Sequence, residues 1–371
     1  MKTFLFVDFK IHYLFNKIEY PTGGATVQAF AWIEGLKKIG QKISVLVDDT
    51  QVTIKDENIK FLNTFQDNRN DKKIKWLYQK YPILKKAIND SNPDYVYQAG
   101  AGFITYVLVH ICTKFSIPFI HRIANDVDVD KRIRKRLPFL QCFFYNRALI
   151  KANYILCQND YQYRCIKKRF PKKKILKIHN PIIFDQDPHQ YKTFKQRKYF
   201  AWLGIFQHQK NLPYLLQIIK KFPDVAFYLG GTPAKNIDDE TSSAILSLEK
   251  CDNVNFSGYV GRDKINEFLG NAYALINTSH YEGFSNTFLE AFKVGTPVIT
   301  TRNVDPDGII KKYELGLVGE KYDDLSNLLN KIMTNKKPMT LTSVKVKSDL
   351  FENFKIECVK RKFSFQKLAD L

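Results

Sequence analysis

No C-x-x-C pair occurs among the six cysteines, at 112, 142, 157, 165, 251 and 358, and none has a histidine at zinc-site spacing. That argues against a structural metal centre and against a disulfide framework, so a reducing cytoplasm fits the chain best. Long apolar runs are also missing. The longest, such as "ITYVLVHIC" at 104–112, is too short for a membrane-spanning helix. The start "MKTFLFVDF" is interrupted by Asp8 and Lys10 with no small-residue cleavage site after it, and reads as a first buried strand. Nowhere does a strand end carry G-x-G-x-x-G with a later acid; "GAG" at 100–102 lacks the third glycine, which removes a nicotinamide enzyme from consideration.

Acids are the scarce charge. The 371 residues hold 37 Asp and Glu against 58 Lys and Arg, a formal net charge of +21, an excess that attracts anionic partners. It is concentrated in "DKKIKWLYQKYPILKK" (71–86), "DKRIRKRLPFL" (130–140) and "IKKRFPKKKILK" (166–177). The second and third interleave basic with apolar residues. That composition fits a segment on an anionic membrane surface, and it equally fits solvated basic faces. Aromatic and basic residues show no nucleic-acid module spacing, so no nucleic acid is expected as a partner.

What is present is an alternation of apolar runs and amphipathic stretches that occurs twice. It runs from "TFLFVDF" (3–9) through "VQAFAWIEGLKKIG" (27–40) and "KISVLVD" (42–48) to "NYILCQN" (153–159). It breaks in the proline-bearing, polar stretch 178–198 and restarts with "YFAWLGIF" (199–206). Strand-helix-strand order implies parallel sheets with crossover helices, and a chain of this length implies two domains. The expected fold class is α/β, two doubly wound Rossmann-like domains facing a cleft, with boundaries at 1–185 and 186–354 and a terminal helix at 355–371 packing back on the first. Ligands of open α/β sheets bind at the carboxyl ends of the strands, so an interdomain site is expected.

The stretch "HYEGFSNTFLEAFKVGTPVITT" (280–301) carries the chemistry. A buried strand, "YALINTS", delivers a loop onto the start of the helix "NTFLEAFKVG", which Gly295 and Pro297 end. A helix start offers unpaired N–H groups suited to phosphate, and glutamates there accept hydrogen bonds from sugar hydroxyls. Thr287-x-x-Glu290 also satisfies a capping box, but capping explains neither Glu282 nor the Gly283 and Asn286 between the two acids.

"EGFSNTFLEA" resembles the E-x7-E signature of family-4 retaining glycosyltransferases of the GT-B type, with Glu282 and Glu290 as its acids. "YPTGGATVQAFAWIEGLKKIGQKISVL", "WLGIFQHQKNLPYLL", "FYLGG" and "NVNFSGYV" are similar to further segments of that family. "NVDPDGIIKKYELGLV" resembles its bacterial members that build capsule or O-antigen polysaccharide. The resemblance implies a metal-independent, hexosyltransferase-like enzyme that uses a nucleotide-sugar donor, a glycan or lipid-linked glycan acceptor, and no cofactor. It implies a location in the cytoplasm or peripherally on the inner face of the cell membrane. Glu290 would hold the nucleotide ribose, Glu282 a hydroxyl of the transferred sugar, and Lys210 the diphosphate. Gly23, Gly24, Gly230, Gly258, Tyr259, Val260, Gly283, Phe284, Ser285 and Asn286 would line the donor site. His121, Asn125, Asp126 and Asp128 are the acceptor-side candidates, with His121 and Asp126 foremost. His121 also reads as a core histidine on a strand.

Two positions depart from the family pattern. Ile205 stands where an arginine is common, with Arg302 or Lys293 as substitutes, and Ala124 stands where a histidine is common. They keep open a second reading, a non-catalytic homologue that binds nucleotide sugar or polysaccharide machinery.

Overall fold

The computed structural model describes residues 1–20, 22–48, 56–65, 73–183, 192–321 and 324–334. The expected boundary at 185 and terminal helix at 355–371 lie outside the described residues. The chain forms two compact units, the first reaching Ile183.

The first unit is built on seven strands: β1 (Thr3–Val7), β2 (Lys42–Val47), β3 (Ile59–Asn63), β4 (Tyr95–Ala99), β5 (Phe119–Arg122), β6 (Tyr154–Cys157) and β7 (Lys174–Lys177). All are parallel, in the order β3-β2-β1-β4-β5-β6-β7. The second unit holds β8 (Tyr199–Leu203), β9 (Phe227–Gly230), β10 (Val254–Gly258), β11 (Ala272–Ile276), β12 (Val298–Thr301) and β13 (Gly316–Gly319). These are also parallel, ordered β10-β9-β8-β11-β12-β13. The strand order reverses once in each sheet, between β1 and β4 and between β8 and β11, which makes both sheets doubly wound.

Central strands form where apolar residues run without alternation, because helices cover both faces of a parallel sheet. Phe4, Leu5 and Phe6 of β1 are all fully buried. The helix Gly24–Lys38 turns Ala29, Trp32, Ile33 and Leu36 onto the first sheet at helical spacing. In the second unit the helix Leu212–Lys220 buries Leu212, Leu215, Ile218 and Ile219, with the Asn211 side chain accepting from the N–H of Tyr214 at its start.

Strands β3, β7 and β13 do not stand out in the sequence pattern, and each lies at a sheet edge. An edge strand pairs on one side only within its sheet, and most of their residues are only partly buried or exposed, as in "KILK" of β7. Where the loops after β8 and β9 meet, backbone touches backbone. Gly231 has φ +139°, and a Cβ built on it would stand 1.8 Å from the Gly204 carbonyl oxygen, so only glycine fits.

Candidate functional site

At the carboxyl ends of β8 and β11 two loops run side by side. The first passes from Leu203 through a 3₁₀ turn, His208–Lys210, to Asn211, which takes a left-handed φ of 52° before the helix Leu212–Lys220. The second runs from Ile276 to the helix Asn286–Lys293. The two are stitched together: the His280 N–H donates to the Gln209 carbonyl at 2.9 Å, the Thr278 hydroxyl to the Lys210 carbonyl at 2.8 Å, and the Trp202 indole N–H to the Thr278 hydroxyl at 3.1 Å. Thr278 and Trp202 are both buried.

The stitching sets Lys210 against Glu282. Lys210 Nζ is 2.5 Å from Glu282 Oε1, with the two side chains 13% and 10% exposed. The lysine stem lies over Gly204, where a Cβ would come within 3.1 Å of Lys210 Cε. Ser279 Oγ donates to the same Glu282 oxygen at 2.9 Å, and Gln209 Nε2 reaches the other at 3.3 Å. The carboxylate is therefore held by one cation and two neutral donors, and the neutral pair stays in place if the lysine turns to another anion.

Glu290, eight residues on, lies on the buried face of the helix. The capping-box reading does not apply, since Ser285 is the N-cap residue with no side-chain cap hydrogen bond. Glu290 Oε1 instead faces Arg262 Nη1 at 3.4 Å. Burial raises its carboxyl above the ordinary glutamate value, while Arg262 and Lys293 pull it back. Arg302, named as a stand-in for the missing arginine, is turned away: it is 77% exposed and faces Glu320 at 3.4 Å. The cation that faces Glu290 is Arg262, a residue no sequence spacing singled out. Gln209, Ser279 and Gly204 likewise carried no signal, because each gains its role only where two loops meet.

The remaining expected donor-side residues divide by surroundings. Gly283, Phe284 and Ser285 are buried in the loop, and Asn286 opens the helix. Gly258 ends β10 with φ +62° and open space where a Cβ would point, with Tyr259 and Val260 beside it partly buried. Gly230 is different: a Cβ there would meet Leu203 and Val260 atoms at 2.7 Å, so its smallness serves strand packing. In the first unit, Gly23 is the N-cap of the helix Gly24–Lys38, and a Cβ on it would meet nothing within 4 Å.

His121 is corrected. On β5 it is fully buried, with Nδ1 3.1 Å from Gln98 Oε1 and Nε2 2.9 Å from the Tyr145 hydroxyl. The Gln98 amide nitrogen donates to the Ala99 and Gly100 carbonyls, so its oxygen accepts and His121 carries its proton on Nδ1. Burial pushes the imidazole down to about 3. A neutral ring with both nitrogens engaged is a core residue, closed to an acceptor. Asp126 follows β5 at the carboxyl end of the sheet, where its Oδ1 accepts from Asn159 at 3.0 Å and Gln162 at 2.9 Å. Asn125 and Asp128 cap the same turn, and Asp128 is buried against Arg136 at 2.5 Å.

His208, Asp238 and Glu240 bring possible ligand atoms within 4.8 Å of one another. Asp238 is already engaged in capping the helix Asp239–Leu248, accepting from the Thr241 N–H at 2.9 Å and hydroxyl at 2.7 Å.

Residues 184–344 match the family model of glycosyl transferases group 1. The match falls on the second unit. Over 116 residues the chain is 27% identical to the lipopolysaccharide core biosynthesis glycosyltransferase LpsE of Rhizobium meliloti (strain 1021), covering 31% of this chain and 33% of that protein. Over 171 residues it is 22% identical to the 2-deoxystreptamine N-acetyl-D-glucosaminyltransferase of Niallia circulans, covering 44% and 43%. The matched regions thus span a third to two fifths of these relatives. The structure of Anabaena HepE in complex with UDP and glucose superimposes with a TM-score of 0.74 over 100% of both chains at 13% identity, which shows a shared GT-B fold.

Within the matched region, Thr278 joins the two loops. Thr278→Val is expected to cost about 2 kcal/mol of unfolding free energy by leaving the Trp202 N–H and the Lys210 carbonyl without a partner. Denaturant titration of that variant beside Thr278→Ser, which keeps the hydroxyl, checks this; equal losses in both would place the effect in packing.

Proposed function

We propose that the protein is a retaining, metal-independent glycosyltransferase that moves a sugar from a nucleotide-sugar donor to a glycan or lipid-linked glycan in bacterial surface polysaccharide synthesis. The single observation that carries this reading is the Lys210–Glu282 pair at the strand-order reversal of the unit on which the family match falls, with Glu290 on the buried face of the helix that follows. Lys210 exchanges Glu282 for the donor diphosphate and balances the charge that builds on the leaving group. Glu282, still held by Gln209 and Ser279, then accepts hydrogen bonds from the sugar. Glu290 accepts from the ribose hydroxyls. The bond from the anomeric carbon to the diphosphate breaks as the acceptor oxygen attacks, and the acceptor proton leaves with the nucleoside diphosphate.

The lipopolysaccharide role of the LpsE relative supports a surface-polysaccharide acceptor, and the UDP bound to HepE makes UDP-sugars the first donors to test. Ile205 keeps the non-catalytic reading in view, and turnover decides between the two. Incubating donor and acceptor and following the anomeric proton by NMR is expected to show a product with the donor's configuration and stoichiometric nucleoside diphosphate, with EDTA present. An inverted product would reject the retaining mechanism. Donor binding without turnover across acceptors would leave the binding protein.

A further inference from the structure

We infer that His208, His280, Asp238 and Glu240 form a binding site for a divalent transition-metal ion of the zinc class, at the carboxyl ends of β9, β8 and β11. The ion stands beside the Lys210–Glu282 pair and takes no part in transfer, which is expected to run with EDTA present. The site does not rest on the glycosyltransferase reading.

Three loops bring the four side chains together. Strands β9, β8 and β11 are neighbours in the second sheet, so the segments that leave their carboxyl ends gather along one edge. The segment after β8 supplies His208, the first residue of the 3₁₀ turn. The segment after β9 supplies Asp238, the N-cap of the helix Asp239–Leu248, and Glu240 in the first turn of that helix. The loop after β11 supplies His280, held to the first loop by its N–H bond to the Gln209 carbonyl at 2.9 Å. Ligand atoms of His208, Asp238 and Glu240 all lie within 4.8 Å of one another. The His280 ring stands beside that of His208, with centroids 5.1 Å apart and planes at 33°, and Glu240 is within electrostatic reach of it. Spacing along the chain gave no sign of a metal centre, because each loop contributes only one or two of the ligands.

Helix capping accounts for only part of this cluster. Each Asp238 oxygen accepts one hydrogen bond from Thr241, at 2.9 and 2.7 Å, and a carboxylate oxygen has a second lone pair to offer. The cap holds Asp238 in place and leaves it able to ligate. His208 and Glu240 are exposed, and their side chains form no hydrogen bond or ion pair among the described residues. Two imidazoles beside two carboxylates make a donor set that suits zinc, cobalt or nickel, whereas magnesium and calcium take oxygen ligands. In a tetrahedral zinc site, with bonds of about 2.0–2.1 Å, ligand atoms stand about 3.4 Å apart. Rotation of the exposed His208 and Glu240 side chains closes the remaining gap and leaves the backbone where it is. His208 lies two residues before Lys210 and His280 two before Glu282, so an ion held by both imidazoles ties together the loops that set that pair.

The test uses the full-length protein, stripped with EDTA, dialysed and titrated with zinc chloride by isothermal calorimetry. One zinc per chain is expected, with the melting temperature raised by several degrees at about a hundred times the dissociation constant. His208→Ala, His280→Ala and Glu240→Gln should each weaken zinc at least tenfold, while His110→Ala, at a partly buried histidine of the first unit, should not. Asp238→Asn keeps a capping side chain and should weaken zinc by a smaller factor. Melting curves in EDTA check that each variant folds. Cobalt in place of zinc should give the visible d–d absorption of a four-coordinate ion without the near-ultraviolet band that a thiolate ligand adds. Wild-type zinc affinity in both histidine variants, a thiolate band, or zinc binding only in the millimolar range would overturn the site, and so would magnesium that competes as strongly as zinc. Nucleoside diphosphate binding is measured separately in EDTA. Its absence would count against the glycosyltransferase reading and leave the zinc result standing, and a failure of zinc alone would do the opposite.

Discussion

Replacing Lys210 by alanine is expected to lower kcat/KM for sugar transfer by about 10²- to 10³-fold, the loss seen when one preorganised charge stabiliser is removed from a transition state. Two effects combine. The donor diphosphate loses its cation at the moment its charge grows. In the empty site, Glu282, whose side chain is only 10% exposed, loses the partner that stands 2.5 Å away. The second effect lowers stability as well as rate, so the variants must separate them. Lys210→Met keeps the stem over Gly204 and removes the charge. Lys210→Arg keeps the charge but brings a bulkier, forked head to a site shaped for an ammonium. Steady-state kinetics with melting curves on all three should give a rate loss that follows charge. If Lys210→Met retains wild-type kcat/KM, the lysine has no part in transfer.

The second large effect concerns Glu290. Glu290→Ala is expected to weaken nucleoside diphosphate binding by about 10- to 150-fold, the equivalent of one hydrogen bond to a charged group at about 1.5–3 kcal/mol. Glu282→Gln should leave free nucleoside diphosphate affinity near wild type and weaken only the sugar-bearing donor. Isothermal titration with both ligands separates the two roles, and equal losses of free nucleotide in the two variants would reject the assignment. Proton linkage adds a signature. Burial raises the Glu290 carboxyl above its ordinary value, so the folded protein holds this proton more tightly than the unfolded chain. The stability that this group contributes is present in acid and declines as pH rises through its native value. Ribose binding needs the ionised form, so nucleotide affinity should fall as pH drops through that raised value. Glu290→Gln is expected to lose this pH dependence and, free of the buried charge, to melt at or above the wild-type temperature near neutral pH. A Glu290→Gln protein that binds nucleotide with unchanged pH dependence would assign the titration to another group.

How much of this was legible in the chain depends on whether a residue's role is local. Strands covered on both faces, such as β1 with Phe4, Leu5 and Phe6, stand out because burial demands an unbroken apolar run. Strands β3, β7 and β13 do not, because an edge strand needs little apolar surface, and "KILK" in β7 reads as part of a basic cluster. The acids at 282 and 290 and the lysine at 210 were visible because their segments resemble motifs of a known family. Their neighbours were not: Gln209 and Ser279 meet around Glu282 only because β8 and β11 are adjacent, and Arg262 reaches Glu290 across 28 residues. His121 shows the converse. Its place on a strand was readable, but Gln98 on β4 and Tyr145 on a helix decide that it is a core residue.

The central claim is that the second unit holds a nucleotide-sugar donor, and melting temperature against UDP, GDP, ADP and CMP, then against the sugar conjugates of whichever binds, tests it most directly. A ligand at about a hundred times its dissociation constant adds about 2.7 kcal/mol, a shift of several degrees for a domain of this size. The account predicts that one nucleotide raises the melting temperature, that its sugar conjugate raises it further, and that Glu290→Ala cuts both shifts to about half or less while Glu282→Gln abolishes only the increment from the sugar. A folded wild-type protein whose melting temperature moves with none of the nucleotides or their sugar conjugates would contradict it.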